Sequence, residues 1–129
     1  MEQKYIAGDL VRYIGVNTPR VVKIDEVREE CLILELTKDN CRWCLADYSE
    51  VEPIPLTSEI LKKNGWENTE YTPLIYTHNE HGIEFWASLK GIENGGTVTY
   101  HDEELLDIKY VHELQHILWA LGLNANLKI

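Results

Sequence analysis

The sequence predicts an α+β fold: an N-terminal SH3-like small β-barrel, then a small antiparallel sheet closed by a C-terminal helix. Three observations carry this. Residues 8–54 break into short β-branched runs separated by tight polar turns. Pro53 and Pro55 end that pattern and hand over to a capped helical segment. Residues 110–121 return to an apolar spacing with helical period.

The elements follow in order. Gly8-Asp9 precedes a first strand at residues 10–14, and residues 15–19 form a turn of Gly, Asn, Thr and Pro. Residues 20–27 carry Val21, Val22, Ile24 and Val27 and form a second strand. After the turn at Arg28-Glu29-Glu30 come a third strand (31–36), a hairpin turn at Lys38-Asp39-Asn40 and a fourth strand (41–46). A one-turn segment at residues 47–50 leads into a short fifth strand (51–54). Five short strands with a single helical turn before the last is the string an SH3-like barrel produces. This assigns residues 1–54 to the barrel and residues 55–129 to an α+β segment.

In the second segment Thr57 is the expected N-cap, Leu56 and Leu61 a hydrophobic staple, and Glu59 a first-turn acid. Gly65 stops this helix after Asn64. Strands are expected at residues 72–77, 83–89 and 97–100, with turns at residues 79–82 and at Gly95-Gly96. The C-terminal helix is expected to start after Asp107 as N-cap and to end at Gly122, with Leu123 completing the cap.

Composition narrows the function. A 129-residue chain that is 44% hydrophobic has enough apolar material for a core. Its net charge of −10 opposes binding to a nucleic-acid backbone or an anionic membrane surface, both of which need clustered cations. Met1-Glu2-Gln3-Lys4-Tyr5 carries no basic region leading into an apolar run, and three cysteines are an odd number. The expectation is a cytoplasmic protein.

His112-Glu113-Leu114-Gln115-His116 matches H-E-x-x-H, a pattern that on a helix can place two histidines on one zinc with the glutamate as general base. On a helical wheel Tyr110, Val111, Leu114, Ile117, Leu118 and Leu121 form one apolar arc, and His112 and His116 fall opposite, on the face expected to stay polar. A catalytic zinc also needs a third ligand. In the extended form of the motif Trp119 stands where Gly belongs and Gly122 where His belongs, and no His, Cys, Asp or Glu follows His116. A third ligand would have to come from His78, His81, His101 or Asp102. Cys41-Arg42-Trp43-Cys44, with Cys31 nearby, lacks the second ligand pair of a structural zinc site. It also lies in a strand rather than at a helix start, so packing cysteines are expected. His78-Asn79-Glu80-His81 reads as a solvated turn.

Phe85 and Trp86 are neighbours on one strand, so one of them faces outward. Trp86, together with Trp119, is the expected partner or ligand contact. For phosphates the sheet region offers only Arg12, Arg20, Lys23, Arg42 and Lys90.

Two segments carry a resemblance. Pro53-Ile54-Pro55-Leu56-Thr57-Ser58-Glu59-Ile60-Leu61 with Gly65-Trp66, and Ile108-Lys109-Tyr110-Val111-His112-Glu113-Leu114-Gln115-His116, resemble a family of small uncharacterised proteins. That family occurs in gut-type bacteria and their phages and prophages. The resemblance spans roughly residues 50–123, with a P-[IL]-x-L-T-x-E-I-L entry and a K-Y-V-H-x-L-Q close. In that family the positions matching Glu113 and His116 also carry Gln and Asn. The resemblance therefore implies that H-E-x-x-H is coincidental and that the gene belongs to a mobile element.

Together these readings predict a non-enzymatic binding protein with no cofactor, no catalytic residue and no metal site. It would interfere with host defence by binding a protein or by sequestering a small nucleotide signal as a homo-oligomer. The alternative is a zinc-dependent hydrolase built on His112 and His116.

Overall fold

The structure, a computed structural model, describes residues 5–35, 43–78 and 82–129, with backbone alone at Trp43. The fold is α+β, mostly two antiparallel sheets with a C-terminal helix. The chain divides into two compact units, residues 1–54 and 55–129.

In the first unit, β1 (Leu10–Tyr13), β2 (Arg20–Val27), β3 (Leu32–Glu35), β4 (Trp43–Ala46) and β5 (Val51–Glu52) form one antiparallel sheet in the order β4-β3-β2-β1-β5. Period-two alternation buries Val11 and Tyr13, Val22 and Ile24, and Leu32 and Leu34 on one face, where they cluster with Tyr5, Ala46 and Val51. Asp9 is fully buried, and its Oδ2 accepts the Ile6 N–H at 2.9 Å, which compensates for the burial of a carboxylate. A one-turn 3₁₀ segment, Tyr48–Glu50, precedes β5 and is tied back by the Glu50 carboxylate, which accepts the Asp47 N–H at 2.9 Å. β4 and β5 are the sheet edges; among the described residues no pairing joins them, so the sheet is open rather than a closed barrel. The hairpin turn expected at residues 38–40 lies outside the described residues.

In the second unit, Thr57 caps α1 (Ser58–Lys63): its Oγ1 accepts the Ile60 N–H at 3.1 Å. Leu56 and Leu61, the two halves of the expected staple, are both buried. The chain then builds β6 (Trp66–Glu67), β7 (Ile75–His78), β8 (Ile83–Ala87), β9 (Gly96–Tyr100) and β10 (Glu103–Ile108), a meander in which each strand pairs with the next. Trp66, Tyr76, Ile83, Phe85, Val98 and Ile108 are the buried residues of the sheet, and Val111, Leu114, Ile117 and Leu118 those of the apolar stripe on α2 (Val111–Ala120).

Several bounds differ from expectation: the strands expected at residues 51–54, 72–77 and 83–89 are Val51–Glu52, Ile75–His78 and Ile83–Ala87. β6 and β10 have no counterpart in the sequence reading. Asp107, the expected N-cap of the last helix, lies inside β10, where its Oδ1 accepts the Thr97 hydroxyl at 2.6 Å; the N-cap is Tyr110. The C-terminus of α2 follows the expected pattern. Gly122 (φ 73°) donates to the Trp119 carbonyl at 3.0 Å and Leu123 to the Leu118 carbonyl at 2.8 Å, the two bonds of a Schellman cap. No helix among the described residues is long and apolar enough to cross a membrane.

Candidate binding face around Trp86

On β8 the alternation sends Ile83 and Phe85 inward, both 0% exposed, and turns Glu84 and Trp86 out, leaving Trp86 48% exposed. Register then extends this outer face across four strands. One row runs Ile75, Trp86, Thr97, Asp107; the next runs Thr77, Glu84, Thr99, Glu104. Side-chain hydrogen bonds run along and across the strands of this face. Glu84 Oε1 accepts the Trp86 indole N–H at 3.3 Å and the Thr99 hydroxyl at 3.4 Å, while Asp107 accepts Thr97. The indole is therefore oriented by Glu84 with much of its surface open.

Two open concavities meet at Trp86 and Thr97. The larger, about 500 Å³, runs toward the start of α2 and is lined by Ser88, Asn94, Asp107, Lys109, Tyr110 and Glu113 among others. The smaller, about 310 Å³, lies over Glu84, Thr99, Asp102 and Glu104. Together the linings carry five carboxylates and, among the described residues, one cation, Lys109, whose Nζ stands 5.7 Å from the Tyr110 ring centre. The ion pairs of the described residues (Arg12 with Glu52, Arg28 with Glu26, Lys63 with Glu59) involve none of these carboxylates. An aromatic face ringed by carboxylates outside the ion pairs of the described residues attracts cations through both Coulomb and cation–π terms.

The H-E-x-x-H residues behave differently from expectation. His112 is 2% exposed and Gln115 equally so, while His116 is half-buried; the supposed polar face of α2 is covered in part. The segment after Gly122 explains part of this: Gln115 Nε2 donates to the Ala125 carbonyl at 3.2 Å, and Ala125 is itself buried. His112 lies stacked against Tyr110 (6.0 Å between ring centres) and meets His116 edge-on at 5.6 Å. Burial pushes the His112 pKa down to about 4, with His116 opposing its charge and Glu113 partly offsetting the effect. Glu113, the residue a hydrolase would use as base, is a helix cap: its Oε1 accepts the backbone N–H groups of Lys109 (2.9 Å) and Tyr110 (3.0 Å). Among the described residues no three or more His, Cys, Asp or Glu gather into a group that could hold a metal ion.

The other expected sites separate. Trp119 is 37% exposed, stacks on His116 at 6.1 Å and lines neither concavity at Trp86. His78, His101 and Asp102 border a third, smaller hollow beside Gly82, and His81 lies outside the described residues. Cys41 and Arg42 also lie outside them. Cys44 and Cys31 are half-buried, and the Cys44 thiol sits 3.5 Å from the Tyr13 hydroxyl against the first unit's core.

Sequence reasoning found Trp86 through its alternation with Phe85 but missed Glu84, Glu104, Lys109 and Tyr110 as its companions. The missing signal was register, which a single strand does not reveal. No protein-family model, curated protein or solved structure matches this chain.

Proposed function

We propose that this chain is a non-enzymatic binding protein, and that the outer face of its C-terminal sheet takes a cationic segment of a partner protein. The observation that carries the reading is Trp86, half-exposed at the centre of a four-strand face and flanked by Glu84, Glu104 and Asp107, none of which is in an ion pair with a described residue. Aromatic anchors dominate the energetics of protein interfaces, and a Trp face with carboxylates beside it suits Arg or Lys. A phosphate-bearing nucleotide fits less well, because Lys109 is the one described cation in the lining. We read the first unit as SH3-like, supported by β1 pairing with both β2 and β5 and by the 3₁₀ turn before β5. The setting we propose is a cytoplasmic phage or prophage protein that interferes with host defence, the context that the resemblance implies.

The test is fluorescence anisotropy with a labelled decapeptide alternating Arg and Val, against the same peptide with Glu replacing Arg. The Arg peptide should bind, weaken as salt is raised, and lose about tenfold in affinity or more with Trp86→Ala. Equal binding of both peptides, or indifference to Trp86→Ala, overturns the reading.

A further inference from the structure

The edge of the sheet beside Trp86 is open. β10 pairs with β9 on one side and with no other strand among the described residues. The two-residue turn at His101 and Asp102, both at positive φ (50° and 70°), makes Tyr100 and Glu103 the first hydrogen-bonded pair of the hairpin. Antiparallel alternation then leaves the next residue, Glu104, with its N–H and C=O turned away from β9. The register shift inserts Leu105, and Asp107 opposite Thr97 takes the next outward-facing position. The 2.6 Å bond between the Thr97 and Asp107 side chains agrees with this, since side chains stand closer in pairs that exchange no backbone bonds. The open edge thus presents backbone donors and acceptors at two residues whose carboxylates lie on the Trp86 face.

At its middle the opposite face of the same strand exposes two leucines. Leu106 pairs with Val98, which is 0% exposed, yet Leu106 is 54% exposed and the inserted Leu105 42%.

We propose that β10 is a strand-docking edge, with the cationic partner segment added beside it as a sixth strand. This rests on the reading of the Trp86 face given above. Pairing supplies backbone hydrogen bonds at Glu104 and Asp107. Alternate side chains of the incoming strand meet two surfaces: cations lie beside Glu104 and Asp107 on the face that carries Trp86, and apolar residues cover Leu105 and Leu106. The occupant is therefore an extended segment alternating basic and apolar residues. A second copy of β10 is a poor occupant, because the antiparallel register that pairs its full length sets Glu104 of each copy against Asp107 of the other. Those acids and the bulge also guard the edge against indiscriminate pairing.

The experiment uses the full chain and the Arg/Val decapeptide in three forms: unmodified, N-methylated on the residues whose N–H groups face β10, and N-methylated on the intervening residues. Because which set faces β10 depends on strand direction, both methylated forms are measured. Amide exchange at Glu104 and Asp107 is followed in parallel. Strand docking predicts that one methylated form loses about tenfold in affinity while the other does not, and that both amides slow on binding. Trp86-dependent binding with equal tolerance of both methylated forms and unchanged exchange overturns strand docking and leaves the cationic-face reading standing. Absence of Trp86-dependent binding overturns both.

Discussion

Glu113 Oε1 accepts the backbone N–H of Tyr110 at 3.0 Å, and the same oxygen takes the Lys109 N–H at 2.9 Å. A carboxylate in the first turn of α2 thus satisfies two N–H groups at the strand-to-helix junction and complements the positive end of the helix dipole. Glu113→Ala should cost about 1 kcal/mol in urea unfolding, and Glu113→Gln less, because a Gln carbonyl can still accept these bonds. A hydrolytic activity in the parent that both variants abolish would assign Glu113 to chemistry instead.

His112 is neutral in the folded chain, its pKa lowered from 6.5 to about 4 first by burial and then by His116. In the unfolded chain it titrates near 6.5. Below that value the unfolded state binds a proton that the folded state refuses, so stability rises with pH between about 4 and 6.5 and is lost on acidification through that window. The loss from this one group is at most about 3 kcal/mol. Chemical melts at pH 7.5 and pH 4.5 should show a smaller pH-dependent drop for His112→Gln than for the parent. Carboxylate titrations contribute to both proteins and cancel in the difference. Equal drops would mean that His112 is not shielded as its burial implies.

The contrast between Trp86 and His112 shows what a sequence discloses. Trp86 was legible because Phe85 and Trp86 are adjacent on a strand and pleating sends neighbours to opposite faces, whatever the partner strands are. His112 was misplaced because the helical wheel assumes burial on one side only, whereas the segment after Gly122 packs back and Gln115 reaches Ala125. β10 escaped because five of its six residues are exposed and the inserted Leu105 breaks the alternation that would have announced a strand. With β10 hidden, Asp107 stood free to be read as an N-cap, and the acidic row beside Trp86 could not be assembled.

Stability and binding should separate cleanly. Leu114 is 1% exposed at the middle of the α2 stripe, so Leu114→Ala removes buried contacts and leaves a cavity, at a cost of about 2–5 kcal/mol. Trp86 is half outside the protein and its indole bonds to an exposed-face carboxylate, so Trp86→Ala should stay within about 1 kcal/mol of the parent. Thermal melts and the peptide assay on both variants check this. Leu114→Ala should lower the melting temperature and, below it, bind as the parent does; Trp86→Ala should do the reverse.

Gly95 and Gly122 offer a matched pair of glycines at positive φ, 80° and 73°, in different surroundings. An alanine at either position carries the strain of the left-handed region, about 1 kcal/mol. At Gly122 a Cβ would meet nothing within 4 Å, so strain is the whole cost. At Gly95 the Cβ would run into the Ile108 carbonyl oxygen and also crowd the Lys109 backbone, neither of which is the far end of a flexible side chain. Relief requires the end of β10 to move away from the start of β9, where Ile108 and Lys109 line the larger concavity. Gly95→Ala should therefore destabilise by about 2 kcal/mol or more, clearly beyond Gly122→Ala, and should also weaken peptide binding while Gly122→Ala leaves it intact. Equal melting temperatures for the two variants would show that the close approach of Gly95 to Ile108 does not shape this face.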